Sequence, residues 1–402
     1  MTKTVDVNAF IMKEAKAIET KTIEIRKYLH EHPELSSEEF ETVQFLKKEV
    51  AALGLEIEDV PNSTGFTALL DTGKAGKTLG IRTDIDALPI MEHPENLAGK
   101  RKYTSKTPGV MHACGHDGHM AIVLATMTIL KQMKDKLTGK VYFIFEEGEE
   151  IGSGIAAMIE HLRDKNFDAI YGNHLASFLD SGKVSLDAGP RMAGAIVVNM
   201  TVKGRGGHGA RPDLSINPIF AAANILTGLT NAWANQIDIS KTVTLGLTKI
   251  QGGSTFNVIP DDVTIGGSLR FYDVEEGKKA LEIVRKVATL TAQAHNCEVE
   301  FGEDFDILAL PVINDEKLSE LAQSGIQEVM PEAIVHDVSW FASESFNQYG
   351  KLAPTLFAFI GARNEQVGSG AEHHNDRFDV DEGALIHGVV ATTKFAVDYL
   401  NS

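Results

Sequence analysis

A segment of eight residues, 112–119, contains three histidines, one cysteine and one aspartate, all of which can bind metal. Thiolate and imidazole groups together suit zinc, manganese, cobalt or nickel. Gly115 and Gly118 favour a tight turn, and the apolar run 120–130 predicts a buried helix that begins where this turn ends. Because such a turn can direct several side chains toward one point, the segment predicts a metal site. The alternative is a turn with a free cysteine and surface histidines.

Carboxylates follow two predicted strands at their C-terminal ends. Asp84 and Asp86 lie at the end of the strand predicted over 78–84, and side chains two residues apart share one side of an extended chain. Four glutamates occur within residues 146–150, directly after the apolar strand predicted over 139–145. A bound cation would relieve the repulsion among them. Active sites of α/β proteins are often built at such strand ends, although a solvated turn and a solvated acidic loop are the alternatives.

Predicted strands and helices alternate through the N-terminal half and again near the C-terminus. Ser36 and Glu39 have the spacing of a capping box, which predicts a helix that ends near Leu53. Strands are predicted at residues 66–70, 78–84, 139–145, 168–174 and 354–360. This alternation predicts an α/β fold with a mostly parallel sheet and helices on both faces.

Between these two parts the pattern changes to strand, helix, strand, strand, helix, strand. These elements are predicted at residues 194–203, 218–236, 242–250, 263–271, 274–296 and 298–304. Their order is typical of the split βαβ, or ferredoxin-like, unit. We therefore predict an inserted α+β domain at residues 191–306, within a catalytic domain formed by residues 1–190 and 307–402.

Composition restricts the class of protein. The chain has 402 residues, 43% of them hydrophobic, which is enough for one very large or two ordinary domains. Its net charge of -18 argues against nucleic acid and anionic membranes as partners. No apolar run reaches the length of about 18 residues that a transmembrane helix needs. The only cysteines, Cys114 and Cys297, form no disulfide framework, which favours a cytoplasmic location.

Seven short motifs make the sequence resemble a known family over nearly the whole chain. They lie at residues 26–34, 82–89, 112–119, 149–150, 172–174, 206–212 and 257–261. The chain resembles the N-acyl-amino-acid amidohydrolases, such as hippurate hydrolase, indoleacetyl-amino-acid hydrolase and aminobenzoyl-glutamate hydrolase. These enzymes form a branch of the metallopeptidases that include carboxypeptidase G and aminoacylase. The Cys-His motif at 112–119 is the most specific feature, because related branches have aspartate at the position of Cys114.

The resemblance implies a catalytic domain with two divalent metal ions and an inserted lid domain that often mediates homodimers. It implies that the metals are manganese or zinc, with cobalt or nickel as alternatives. The implied metal ligands are Cys114, His116, Glu150, His174 and His374, with Cys114 as the bridge between the ions.

The resemblance also implies roles for residues that do not bind metal. Glu149 is the expected general base, and Asp86 is expected to orient a ligand. His208 of the lid is expected to reach a catalytic site and stabilise the oxyanion. Asn257 and Arg270 are expected to bind the free carboxylate of the substrate, with Arg270 binding it bidentately.

The sequence departs from the family pattern at three places. Glu146-Glu147-Gly148 replaces the usual Gln-Pro-Ala, so two further carboxylates compete with Glu149 for the role of base. Ser345 replaces an aspartate, and the usual His-x-Pro reads His374-Asn375-Asp376. His373 is a rival to His374 as ligand, although the spacing to Phe378 favours His374.

Together these features predict an amidohydrolase that cleaves N-acyl amino acids, or similar small amides, to a carboxylic acid and an amino acid through a metal-activated water. A dipeptidase or carboxypeptidase would use the same chemistry on a peptide bond. Two further possibilities are a non-catalytic metal-binding relative and a cysteine hydrolase, with Cys114 as nucleophile and His116 or His119 as base. Chelation separates the cysteine hydrolase from the metal enzymes, because a cysteine nucleophile does not need metal.

Overall fold

The computed structural model describes residues 6–402, which divide into two compact units. The first unit contains the chain up to Gly189 together with Ile313–Val338 and Gln348–Ser402, and the second contains Pro190–Val312 and Ser339–Asn347. The sequence pattern instead predicts that the segment Ser339–Asn347 belongs to the catalytic domain. Among the described residues, no helix is both long and apolar enough to cross a membrane.

The chain forms eight helices of the α type within the described residues. They are α1 (Val7–Glu31), α2 (Phe40–Ala52), α3 (His116–Gln132), α4 (Ile155–Leu162), α5 (Pro218–Gln236), α6 (Val274–Ala294), α7 (Glu316–Val329) and α8 (Leu385–Asn401). The strands are β1 (Glu56–Asp59), β2 (Phe66–Asp71), β3 (Thr78–Asp84), β4 (Glu95–Asn96), β5 (Gly99–Lys100), β6 (Lys140–Glu146), β7 (Ala169–Asp180), β8 (Val184–Ser185), β9 (Gly189–Met192), β10 (Gly194–Lys203), β11 (Gly207–His208), β12 (Val243–Gln251), β13 (Val258–Ile259), β14 (Asp262–Phe271), β15 (Glu298–Phe301), β16 (Ile307–Ala309), β17 (Val312–Asn314) and β18 (Thr355–Arg363).

The first unit is built on a seven-stranded sheet in the order β1-β2-β6-β3-β7-β18-β8. The four central strands, β6, β3, β7 and β18, run parallel, whereas β1, β2 and β8 pair antiparallel with their neighbours. The α/β class is therefore confirmed, but the sheet is mixed rather than mostly parallel. Parallel strands end at the same edge, so the C-terminal residues of the central strands lie side by side. In the register of the sheet, Asp84 is directly opposite Glu146.

Helix α3 begins at His116, immediately after the turn that the glycines predicted. Gly115 has a φ of 90°, a left-handed conformation that glycine adopts without a steric penalty. At Gly118 a Cβ atom would lie 2.4 Å from Leu175 Cδ1, so a larger residue there would force the Leu175 side chain to move. Nearly all of α3 is buried, as its apolar sequence predicted.

The predicted capping box at Ser36 is wrong. Helix α2 begins at Phe40, and its N-cap residue Glu39 makes no side-chain capping hydrogen bond. Ser36 Oγ instead donates to Asp86 Oδ2 at 2.7 Å. A serine hydroxyl can form either a capping box or a tertiary hydrogen bond, so the local spacing of Ser36 and Glu39 does not distinguish between these two interactions.

The second unit contains an antiparallel sheet in the order β12-β14-β10-β15, with β16 also paired to β10. Helix α5 connects β10 to β12, and α6 connects β14 to β15. This order of helices and strands is that of a split βαβ unit. Its core is apolar and separate from that of the first unit, and it includes Ile196, Ile225, Ile265 and Val284.

Candidate metal centre and active site

Four segments of the first unit carry the predicted metal ligands. Cys114 and His116 stand in the turn before α3 and at its first residue. Glu150 lies in the short 3-10 turn Glu149–Ile151 that follows β6, and His174 lies within β7. His374 lies in the loop between β18 and α8 and has a left-handed φ of 59°. The fold thus brings residues 260 positions apart, 114 to 374, to one edge of the sheet.

The ligand atoms of these five residues fall into two groups that share one member. Cys114, His116 and His174 form one group, and Cys114, Glu150 and His374 form the other. Within each group the ligand atoms lie within 4.8 Å of one another. Cys114 is therefore the member that the two groups have in common.

The separations between ligand atoms fit the binding of divalent metal. Cys114 Sγ lies 3.5 Å from His174 Nε2, and His374 Nε2 lies 3.3 Å from Glu150 Oε2. His116 Nε2 lies 3.7 Å from Glu150 Oε1. Atoms held about 2.0 to 2.3 Å from one ion in a tetrahedral arrangement are about 3.3 to 3.7 Å apart. Both His116 Nε2 and Glu150 Oε1 are buried without a hydrogen-bond partner in the protein, which is the condition expected of atoms reserved for a cation.

Asp86 fixes the orientation of two of these ligands. Its side-chain Oδ1 and its carbonyl oxygen accept from His116 Nδ1 at 3.1 and 3.0 Å, which directs the opposite nitrogen, Nε2, toward Glu150. Its Oδ2 accepts from the backbone N–H of Glu150 at 3.1 Å and from Ser36. Burial opposes ionisation of Asp86, but its bonds to His116 and Ser36 hold its pKa below the usual value. A carboxylate at this position therefore orients both ligands.

Glu149 belongs to a further group with His116 and Glu150, so its carboxylate faces the same space. Both residues are partly exposed, and the side chain of Glu150 is 8% exposed. Gly148 and Gly152 flank the turn with left-handed φ values of 57° and 65°. The pair thus places two adjacent carboxylates beside His116.

The two additional glutamates of the acidic run have partners elsewhere. Glu146 is fully buried, and its Oε2 accepts from Arg82 Nε and from the Tyr349 hydroxyl, both at 2.7 Å. Glu147 accepts from the hydroxyl of Thr64 at 2.7 Å and from the Thr64 backbone N–H. The cation that offsets the charge of Glu146 is therefore Arg82. Neither carboxylate belongs to a group of potential metal ligands in the described part of the chain.

Asp84 and His119 also lie within 4.8 Å of His116, but they are bonded to each other. His119 Nδ1 donates to Asp84 Oδ1 at 2.8 Å, and His119 Nε2 accepts from the backbone N–H of Leu175 at 2.9 Å. Asp84 Oδ2 accepts from Arg82 Nη1 at 2.8 Å. Both ring nitrogens of His119 are thus used, which makes this histidine of the motif unsuitable as a ligand.

The structure separates the adjacent histidines 373 and 374. His373 is buried, donates from Nε2 to the Leu175 carbonyl at 2.8 Å and accepts at Nδ1 from Ser177 Oγ at 3.2 Å. Burial lowers the pKa of His373 to about 3, so its ring is neutral. The side chain of His374 is half exposed, and its Nε2 faces Glu150. Of the pair, His374 alone belongs to a group of potential metal ligands among the described residues.

Cys114 lies in an environment that disfavours a free thiolate. Burial, and after it the charge of Glu150, raise the pKa of the thiol well above its usual value. Its partner His174 is also buried, which lowers the pKa of that imidazole, and the neighbouring His119 lowers it further. A cysteine nucleophile needs a lowered pKa, so the raised pKa of Cys114 does not suit a cysteine hydrolase with His116 or His119 as base. A metal cation would instead stabilise the thiolate.

The predicted substrate-binding residues belong to the second unit. His208 is exposed in β11, where it pairs with Val258 of β13. The next residue, Gly209, donates its N–H to the Asn257 carbonyl at 2.8 Å, so the backbones of His208 and Asn257 lie close together. Arg270 is half-buried in β14 and donates to Ser343 Oγ at 3.0 Å. Ser345 Oγ donates to Glu344 Oε1 at 3.3 Å. All these contacts lie within the second unit, and the substrate-binding roles stay predictions.

Sequence patterns do not identify Arg82, His119 and His373 as supports of the site. Arg82 and His119 occur within motifs whose other members are the predicted ligands and carboxylates, and His373 is predicted only as a rival ligand. Each of them has a partner far away in the chain, 64 residues for Arg82, 56 for His119 and 198 for His373. No local pattern carries that information.

Comparison with known proteins agrees with the geometry. The model of peptidase family M20/M25/M40 matches residues 80–398. The chain is 33% identical over 398 residues to thermostable carboxypeptidase 2 of Saccharolobus solfataricus, covering 97% of this chain and 98% of that one. It is 34% identical to N-acetylcysteine deacetylase of Bacillus subtilis, covering 95% and 96% of the two chains. A solved dinuclear metal-binding peptidase of the M20 family from Bacillus subtilis has a TM-score of 0.83 and 32% identity, with 96% and 99% covered.

Proposed function

The chain belongs to peptidase family M20/M25/M40, and on this premise we propose that it hydrolyses N-acyl amino acids to a carboxylic acid and an amino acid. The general activity, metal-dependent hydrolysis of amide bonds, follows from the family and its members. The family match confirms the resemblance seen in the sequence. A non-catalytic role is thereby set aside. The observation that carries the proposal is the pair of ligand groups that share Cys114.

The proposed ligands are Cys114, His116, Glu150, His174 and His374, with Cys114 as the bridge. Two divalent ions, manganese or zinc, are proposed, because sulfur, nitrogen and carboxylate donors together suit these borderline metals; cobalt and nickel would suit them as well. Support comes from the separations within each group, 3.5 Å between Cys114 Sγ and His174 Nε2 and 3.3 Å between His374 Nε2 and Glu150 Oε2. It also comes from His116 Nε2 and Glu150 Oε1, which have no partner in the protein.

Glu149 is proposed as the general base. When bound, two divalent ions lower the pKa of a water molecule and polarise the scissile carbonyl. Glu149 would take a proton from the attacking water and later pass it to the leaving amine. Its carboxylate faces His116 and Glu150, and the two rivals Glu146 and Glu147 are occupied by Arg82 and Thr64. Asp86 would hold His116 and the backbone of Glu150 in place during this transfer.

Residues of the second unit are proposed to bind the substrate. Arg270 would bind the free carboxylate of the amino acid bidentately, with Asn257 as a further donor. His208 would donate to the oxyanion that develops on the scissile carbonyl. The cost of burying the Arg270 side chain lowers its pKa, which is consistent with a guanidinium kept in a sheltered place for an anionic partner. These residues would suit a substrate that has a charged carboxylate.

A second candidate is a carboxypeptidase or dipeptidase, because one relative is named a carboxypeptidase. Both reactions would use the same ligands, and they differ only in the group on the acyl side of the bond. The test is to assay the manganese-loaded and zinc-loaded protein against a matched series of N-acyl amino acids and dipeptides that share one C-terminal residue. A higher kcat/KM for N-acetyl or N-benzoyl compounds supports the proposal. Preference for dipeptides supports the second candidate, and inactivity on both series, with metal present, contradicts both.

A homodimer through the second unit is also proposed. Strand β12 is at the edge of its sheet, so one side of this strand has no neighbouring strand in the sheet as described. Ile250 on this strand is 56% exposed, and Phe220 on α5 is 64% exposed. A second copy could cover both the edge and these apolar side chains. A cytoplasmic location remains a prediction from the cysteine content.

A further inference from the structure

Three histidines contact the backbone of one residue, Leu175 in β7. Its N–H donates to His119 Nε2 at 2.9 Å. Its carbonyl oxygen accepts from His373 Nε2 at 2.8 Å and from His174 Nδ1 at 2.8 Å. Of these three histidines, only His174 shares a ligand group with Cys114. All three side chains are buried.

The partners determine which nitrogen of each ring carries hydrogen. A carbonyl oxygen only accepts, so His174 carries hydrogen on Nδ1 and His373 carries it on Nε2. Because an N–H only donates, His119 has a lone pair at Nε2, and its hydrogen is on Nδ1, directed at Asp84. The nitrogen of His174 that faces Cys114 Sγ at 3.5 Å is therefore Nε2, the ring nitrogen that carries no hydrogen.

The bond from His174 Nδ1 to the carbonyl of the next residue is local, so it orients the ring only if that carbonyl is itself held. His373 holds the carbonyl from one side, and His119 holds the N–H of the same residue. We propose that His119 and His373 are positioning residues, which fix the backbone N–H and carbonyl of Leu175 and thereby direct His174 Nε2 toward the metal centre. This inference rests on the proposed function, because it takes His174 to be a ligand.

Both positioning histidines are themselves anchored in the first unit. His119 is bonded to Asp84, which accepts from Arg82, which in turn donates to Glu146. His373 accepts from Ser177 Oγ, and its ring lies 4.9 Å from that of Phe378. The backbone of Leu175 is thus held between two supports that lie in different segments of the chain.

The test compares substitutions that keep or remove one hydrogen bond. In H373Q the amide N–H₂ can replace Nε2–H as the donor to Leu175, whereas in H373F the ring shape is kept and the donor is lost. In H119Q the amide oxygen can replace Nε2 as the acceptor of the Leu175 N–H, whereas H119F has no acceptor at this position. The measurement is the dissociation constant of each Mn²⁺ ion by titration calorimetry, together with the thermal unfolding of the metal-free proteins. Loss of such supporting bonds typically weakens metal binding by about 10- to 100-fold.

We expect H373F and H119F to weaken the binding of one of the two Mn²⁺ ions by about 10- to 100-fold. In the glutamine variants, each dissociation constant should stay within about fivefold of its value in the unchanged protein. H161Q and H161F are the matched controls, because His161 on α4 has a side chain only 7% exposed and contacts β2 rather than β7. Equal Mn²⁺ affinity in the phenylalanine variants and the unchanged protein overturns the inference, even if those variants unfold at lower temperature. If the unchanged protein binds no Mn²⁺, the proposed function fails instead.

Discussion

Arg82 and Glu146 form an ion pair that is fully buried beneath the acidic run, with 2.7 Å between Arg82 Nε and Glu146 Oε2. Arg82 also donates to Asp84 Oδ2 at 2.8 Å, so one guanidinium offsets two carboxylates at the ends of neighbouring strands. The Tyr349 hydroxyl donates to the same oxygen of Glu146. This arrangement allows a glutamate where the related family usually has glutamine, without placing that carboxylate among the metal ligands.

Replacing Arg82 with methionine should therefore destabilise the protein strongly. It would leave Glu146 and Asp84 buried with less compensation, and breaking a buried ion pair costs about 3 to 5 kcal/mol. The free energy of unfolding from urea denaturation measures this loss. Arg163 and Glu160 form a matched exposed pair, whose side chains are 64% and 65% exposed. R163M should cost no more than about 1 kcal/mol. A similar cost for both variants would show that the buried pair has no special role.

The proposed roles of Glu149 as general base and Glu150 as metal ligand predict different effects of replacing each with glutamine. E149Q removes a base, so metal content should stay near normal while kcat falls by roughly a hundredfold or more. E150Q removes a ligand, so the occupancy by metal should fall. Elemental analysis and steady-state kinetics measure the two quantities.

The control for this pair is E147Q, since Glu147 lies on the same loop but is bonded to Thr64. Its kcat should stay within about tenfold of the unchanged protein. Full activity of E149Q would exclude Glu149 as the base, and equal loss of metal from E149Q and E150Q would mean that the two residues share the ligand role.

Removal of the bridging sulfur should reduce metal content. C114A is expected to lose at least one of two divalent ions per chain, because Cys114 belongs to both ligand groups. C297A is the matched control, since Cys297 is likewise buried and belongs to the second unit. Prolonged treatment with EDTA should abolish activity, and Mn²⁺ or Zn²⁺ should restore it. Activity that survives chelation would support a cysteine nucleophile instead, and unchanged metal content in C114A would contradict the bridge.

His30 predicts a pH dependence of stability in the alkaline range. Burial opposes its charge, but its hydrogen bonds to Asp117 and Glu92 raise the pKa of His30 to about 9, from 6.5. A raised pKa stabilises the folded state fully below about pH 6.5, and this contribution is lost as the pH rises to about 9. The shift corresponds to a loss of about 3 kcal/mol.

Unfolding free energies of the metal-free protein and of H30Q, measured from pH 6 to pH 9.5, test this assignment. The stability of the unchanged protein should fall more steeply across that range than the stability of H30Q. Parallel curves for the two proteins would mean that His30 is neutral when folded.

The proposed dimer predicts that a charge on strand β12 separates the subunits. I250K should be monomeric at micromolar concentration by light scattering, whereas the unchanged protein should be dimeric. L290K is the matched control, because Leu290 on α6 is 55% exposed, almost the same as Ile250 at 56%. A monomeric unchanged protein, or dissociation by L290K alone, would contradict dimerisation through β12.

Much of the fold is encoded in local sequence. The glycine turn and α3 are predicted correctly because the residues that form them are adjacent and because helix periodicity is a local property. Strand β3 is predicted to its last residue, Asp84. The direction of strand pairing is predicted less well, since the sheet is mixed. Antiparallel β1, β2 and β8 are apolar or short, and their pairing partners are not encoded by the spacing of their own side chains.

The sequence by itself determined the fold class and the family, and it contained the five residues proposed as ligands. Only the tertiary structure decided that His374 rather than His373 faces Glu150, that Glu146 pairs with Arg82, and that His119 is bonded at both nitrogens. The physical reason is that a residue type fixes which bonds a side chain can make, whereas its neighbours in space fix which bonds it does make. For these residues the deciding neighbours lie on other strands and loops, far away along the chain.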